Sequence, residues 1–256
     1  MKFTFLTIFP DIYTSFVWSS LIDKAVSDGL IDIQIINIRD YVTGSKNKQV
    51  DDEIYWGGAG MLIKAQPVID ALKHILHNRR DSLMACPDNA IYKIKIIFVW
   101  PSKTVFDQQL AHDCADIYDE NIYISGRYEG IDHRVKLWCE SLQIPTPKGT
   151  PSLYQGTQMQ IDFAVISLWQ FIVLWGELPS MVMCEATARL LPWVIKEQIS
   201  REEESYAVVK WMNNLEYPQY TRPQEVEWYP VPEILLSGHH KKIQEWRDEQ
   251  EWSLDW

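Results

Sequence analysis

Two apolar runs near the amino terminus, residues 3–8 and 31–38, restrict the fold of this chain more than any other feature. Each reads as a buried strand. Between them, from about residue 13 to residue 28, apolar side chains recur with helical spacing, and Gly29 follows where a helix C-terminal cap belongs. A strand, a helix and a second strand in succession imply a crossover between parallel neighbours. The expected class is therefore α/β, with a parallel sheet of about five or six strands flanked by helices. Residues 66–78 and 107–118 read as helices, and residues 93–99 and 121–124 as strands. A helix is expected over 132–140, a strand over 163–174, and a helix from about Gly176 to Leu191, which Pro192 ends.

With 256 residues, 46% of them hydrophobic, the chain can bury a full core as one large domain or two smaller ones. A net charge of −11 excludes a general polyanion binder. A nucleic-acid contact would need a local basic patch or a subunit seam. Cys86, Cys114, Cys139 and Cys184 lack metal-like spacing and read as thiols of a reducing, cytoplasmic compartment. The first strand is stopped by Pro10, unlike a signal peptide, and the apolar run at 163–173 is too short to span a bilayer. His239 and His240 are adjacent, so they do not share a helix face, and no metal site is expected there.

The chemistry concentrates in Gly126-Arg127-Tyr128-Glu129-Gly130, between a strand and a helix. The glycines permit tight turning and close ligand approach. Arg127 offers a planar fork of donors and Glu129 only acceptors, which suits a planar hydrogen-bonding ligand such as a base. The plainer reading is a strand-to-helix turn with an internal Arg127–Glu129 pair. A second glycine-rich loop, Tyr55-Trp56-Gly57-Gly58-Ala59-Gly60-Met61, suits backbone contact with a ligand or a simple hinge. Residues 144–151 form a Pro/Thr/Gly-rich loop, and residues 196–205, with Glu202-Glu203-Glu204 in a row, mark the clearest domain boundary.

Thr7-Ile8-Phe9-Pro10, Val50-Asp51-Asp52 with the 55–61 loop, residues 125–135 and Gly176-Glu177-Leu178-Pro179 occur in a telling order. With Tyr220-Thr221-Arg222-Pro223 and residues 232–247, they resemble the bacterial tRNA (guanine-N1)-methyltransferase family, TrmD. The resemblance implies an α/β fold with a deep trefoil knot that holds S-adenosylmethionine, and a small helical C-terminal domain. It implies residues 1–195 as the knotted domain, 196–204 as linker and 205–256 as a tRNA-binding domain that stops early, with Trp252 and Trp256 where relatives carry basic residues. It also implies a homodimer whose active site lies between subunits, and methylation of the guanosine just 3′ of the anticodon.

Residue by residue, the resemblance implies Glu204 as general base and Arg189 as its catalytic partner. Glu129, Arg127, Gly58 and Gly60 fall on the substrate side. Pro101, Gly126, Tyr128, Leu168, Phe171, Val173, Gly176 and Pro179 fall on the cofactor side. The residue types suit the reaction: guanine N1 carries a proton that a carboxylate can remove, and a cation near O6 stabilises the charge that develops there. Several positions depart from the family pattern. Trp56, Trp169, Trp175 and Trp193 stand at glycine positions, Trp100 at a small serine, and Gln170 at an aspartate; residues 142–160 look like an insertion. A glycine of a threaded loop serves positive φ or close approach, and an indole suits neither. Either the loop rearranges and still holds S-adenosylmethionine, or the chain folds and binds tRNA without it. A third reading is a dimeric interaction protein with exposed tryptophans as contact patches.

Overall fold

The computed structural model describes residues 1–44, 48–57, 60–84, 91–143, 159–195, 205–206, 214–250 and 252–253. The chain divides into two compact units, Met1–Ile195 and Lys196–Trp256.

The first unit is built on β1 (Lys2–Thr7), β2 (Asp32–Asn37), a hairpin of β3 (Asp51–Glu53) and β4 (Met61–Ile63), then β5 (Tyr92–Val99), β6 (Glu120–Ser125) and β7 (Met159–Ile166). Five of these form one sheet in the order β2-β1-β6-β5-β7, and every pairing in it is parallel. The helices are α1 (Thr14–Val17), α2 (Ser20–Ser27), α3 (Ala65–Met84), α4 (Gln108–Asp116), α5 (Arg134–Gln143) and α6 (Glu177–Ala188). Side chains of a strand alternate between faces, so each strand feeds two cores. Leu6, Ile94, Ile96, Ile122 and Ile124 pack in one cluster with α3 and α5. Phe3, Phe5, Ile97, Val99 and Tyr123 pack in the other with α2 and α6.

Two sequence expectations change. The single helix over 13–28 is broken into a 3-10 turn, Pro10–Tyr13, then α1 and α2. Ser19 adopts extended backbone between the helices, and α2 starts afresh from it. The strand over 163–174 stops at Ile166. Ser167 is diverted there, donating its N–H to Thr104 O at 2.9 Å and accepting from Phe106 N at 2.8 Å. The apolar run continues because the next residues line a cavity, not because the ladder does.

The second unit is not wholly helical. It holds α7 (Glu233–Leu236) and α8 (His240–Gln250), and two-residue ladders pair β8 (Asn214–Leu215) with β11 (Trp252–Ser253) and β9 (Glu225–Val226) with β10 (Tyr229–Pro230). Among the described residues no helix is long and apolar enough to cross a membrane.

Candidate active site at the carboxyl ends of the sheet

Three loops meet beyond the carboxyl ends of β5, β6 and β7. The 126–130 loop leaves β6, and Gly176, just ahead of α6, lies directly against it: Gly176 N donates to Gly126 O at 3.0 Å. A Cβ at Gly176 would sit 2.7 Å from Gly126 N, so only glycine allows this contact. Trp100, at the end of β5, lays its indole against Gly126 and Gly130. Gly130 has φ +119, and a side chain there would collide with that indole. Beneath the crossing, the buried Tyr13 hydroxyl bonds Ser125 Oγ at 3.1 Å and Ser180 Oγ at 2.8 Å, tying β6 to α6. Burial pushes the Tyr13 hydroxyl far above its ordinary pKa.

The loops enclose a cavity of about 270 Å³. Pro101, Gly126, Tyr128, Leu168, Phe171, Val173, Gly176 and Pro179 all line it, as do Arg127 and Glu129. Ile172, Leu174 and Trp100, which sequence reasoning did not place, line it as well. The apolar stretch around 171–174 was the available signal, but its periodicity read as strand. Gly60 lies directly against the Glu129 side chain. The hairpin that carries it is held by Glu129 N donating to Met61 O at 3.1 Å and Ile63 N donating to Gly130 O at 2.9 Å. Arg189 follows α6, its backbone N donating to Glu185 O at 3.0 Å, and is not part of the cavity lining. Glu204 and Gly58 lie outside the described residues.

Arg127 does not pair with Glu129. Its Nε donates to both carboxylate oxygens of Glu177, at 3.1 and 3.0 Å. Glu177 is fully buried and also accepts from the Thr7 hydroxyl at 2.6 Å. A buried carboxylate demands such partners, which is why it draws the arginine away from the exposed loop. The guanidinium carbon lies over two rings, 4.4 Å from the Phe9 centroid and 4.5 Å from the Trp175 centroid. Its Nη2 is buried and has no hydrogen-bond partner among the described residues. Thr7, Phe9 and Glu177 therefore belong to the site, and only their place in short motifs had marked them.

The tryptophans divide into two kinds. Trp56 and Trp193 hold left-handed backbone, at φ +68 and +70, as a glycine would. Trp169 and Trp175 do not, and neither lines the cavity. Trp169 is exposed, and Trp175 turns its indole onto Arg127. The cavity survives both.

A doubly flanked parallel sheet with a glycine-lined cavity beyond its carboxyl ends defines an α/β ligand-binding protein. Its sequence places it further. The sequence model of the tRNA (Guanine-1)-methyltransferase TrmD family matches residues 1–254. The tRNA (guanine-N(1)-)-methyltransferase of Clostridioides difficile (strain 630) is 36% identical over 255 residues, covering 98% of this chain and 92% of the relative. That of Desulfitobacterium hafniense (strain Y51) is 38% identical over 247 residues, 96% of this chain and 78% of the relative. That of Mycoplasmopsis pulmonis (strain UAB CTIP) is 36% identical over 251 residues, 98% and 91% respectively. The chain belongs to the tRNA (guanine-1)-methyltransferase family.

Proposed function

We propose that this protein transfers a methyl group from S-adenosylmethionine to N1 of the guanosine just 3′ of the anticodon in tRNA. The observation that carries the reading is that Pro101, Gly126, Tyr128, Leu168, Phe171, Val173, Gly176 and Pro179 converge on one cavity. They fit the methyl donor. The volume lies just under the usual range for a small-ligand pocket, backbone is brought close by Gly126 and Gly176, and a buried guanidinium nitrogen awaits an acceptor. When bound, the donor supplies a methyl group already activated on a sulfonium. The chain's own residues supply the rest. Glu129, at the rim beside Gly60, holds the polar edge of the guanine. Glu204 removes the N1 proton as general base, and Arg189 stabilises the charge that develops at O6.

Residues 205–256 form the tRNA-binding domain, joined by the 196–204 linker, and the crossing of the 126–130 and 171–177 loops is part of a trefoil knot. The active site is completed in a homodimer. Exposed apolar side chains on α6 and its approach, Ile172, Leu174, Leu178 and Val182, supply a surface for the second subunit. The protein works in the cytoplasm, where Cys114, Cys139 and Cys184 stay as the free thiols seen here. The reading without cofactor is disfavoured, because neither Trp169 nor Trp175 enters the cavity.

The test is single-turnover transfer of labelled methyl from S-adenosylmethionine to a tRNA transcript with guanosine at that position. Glu204→Gln is expected to abolish transfer and leave tRNA affinity nearly unchanged, whereas Glu202→Gln and Glu203→Gln have little effect. Unimpaired transfer by Glu204→Gln rules this residue out as the base. A monomer by light scattering at micromolar concentration sinks the shared site.

A further inference from the structure

Arg127 is held on three sides. Its Nε edge is bound to Glu177, and its guanidinium carbon lies over both the Phe9 and the Trp175 rings. The side chain is nine-tenths buried, and Nη2 has no partner among the described residues. Buried donors without acceptors are rare, and one carried by a residue that lines a cavity suits a ligand that provides the acceptor. A guanidinium free to rotate could relieve itself by turning Nη2 toward water. Two aromatic faces and a carboxylate deny it that freedom.

We propose that Trp175 is a positioning residue for ligand binding: it completes the cation–π stack that fixes Arg127, so that Nη2 donates to a hydrogen-bond acceptor of bound S-adenosylmethionine. This rests on the cavity being the methyl-donor site. It reverses the meaning of the substitution at this glycine position. The indole does not obstruct the cavity; it turns away and orders one of its donors. Phe9 supplies a second ring 4.4 Å from the guanidinium carbon, so loss of Trp175 leaves one ring contact and the ion pair with Glu177 intact.

The experiment is calorimetric titration of the full-length protein with S-adenosylhomocysteine, which cannot react, alongside thermal melts. Trp175→Leu keeps apolar bulk but removes the ring quadrupole and should weaken binding roughly tenfold to thirtyfold. Trp175→Phe restores a ring and should return affinity to within about threefold of the parent. Arg127→Lys keeps the charge but loses the fork, and in that background Trp175→Leu should change affinity by less than about twofold. Weakening by Leu and Phe alike, full additivity with Arg127→Lys, or no loss in Trp175→Leu each overturns the proposal. So does a loss confined to tRNA affinity. A parent protein that binds no S-adenosylhomocysteine overturns this inference and the methyl-donor reading together, whereas a parent that binds with an indifferent Trp175→Leu removes only the role of Trp175.

Discussion

Strand β1 carries two threonines that each bond a fully buried glutamate, and each glutamate holds an arginine. At Glu120, which opens β6, Thr4 Oγ1 donates at 2.5 Å and Arg79 Nε at 2.6 Å. At Glu177, which opens α6, Thr7 Oγ1 donates at 2.6 Å and Arg127 Nε at 3.0 Å. The two sets differ in what remains. Arg79 Nη2 donates again, to Glu120 at 3.1 Å and Gln34 at 2.9 Å, and Tyr92 adds a longer contact at 3.4 Å. Arg127 Nη2 donates to nothing among the described residues. The first set is closed, and its role is to join β1, β6 and α3. The second has the same parts and one donor unspent, and it borders the cavity. Satisfaction, not residue type, separates a structural ion pair from one available to a ligand.

The largest expected effect comes from breaking the closed set. Arg79→Ala leaves Glu120 buried with hydroxyl partners only, and should cost about 3–5 kcal/mol in urea denaturation. The refolded variant should bind S-adenosylhomocysteine as the parent does, since Glu120 lies at the far end of β6 from the cavity. A parent-like stability for Arg79→Ala would erase the distinction between the sets.

Next is Gly130→Ala, which combines a φ of +119 with collision against the Trp100 indole. A loss of about 2–3 kcal/mol is expected from overpacking and backbone strain together. Adding Trp100→Ser should recover the collision part and leave the backbone part, a split that paired melts would show.

The two kinds of tryptophan give a smaller effect of opposite sign. Trp193→Gly removes an exposed indole from φ +70 and should raise stability by about 1 kcal/mol. Trp175→Gly, at a position without left-handed backbone, should bring no such gain and should weaken ligand binding instead. A stabilised Trp175→Gly in the same melts would mean that its stack on Arg127 does not hold the native state.

The smallest effect concerns Asp132, whose carboxyl is held below the usual aspartate range, chiefly by its hydrogen bond from Arg134. A depressed pKa contributes stability that is present above the unfolded value of about 3.9 and lost as pH falls through the folded one. Arg134→Gln should therefore reduce stability only slightly above about pH 4, because the Arg134 side chain is largely exposed, and the difference should vanish in stronger acid. A gap that widened toward acid would reverse the sign.

Much of the scaffold was legible in the sequence. Apolar runs separated by helical periodicity implied parallel neighbours joined by a crossover, and β1 and β2 pair in that way. The glycine-bracketed loop at 126–130 was visible as a ligand loop because its residue types narrow what it can do. Other features depended on long-range packing. That β6 lies between β1 and β5 is decided by the fit of the assembled sheet. That residues 167–168 and 171–174 line a cavity instead of extending β7 depends on Thr104 and Phe106 capturing Ser167. Arg127 had two carboxylates within its chain's reach, Glu129 two residues on and Glu177 fifty residues on. Local spacing favours the first. The second wins because folding buries Glu177 completely, and a buried carboxylate without a cation is far costlier than an exposed one left in water.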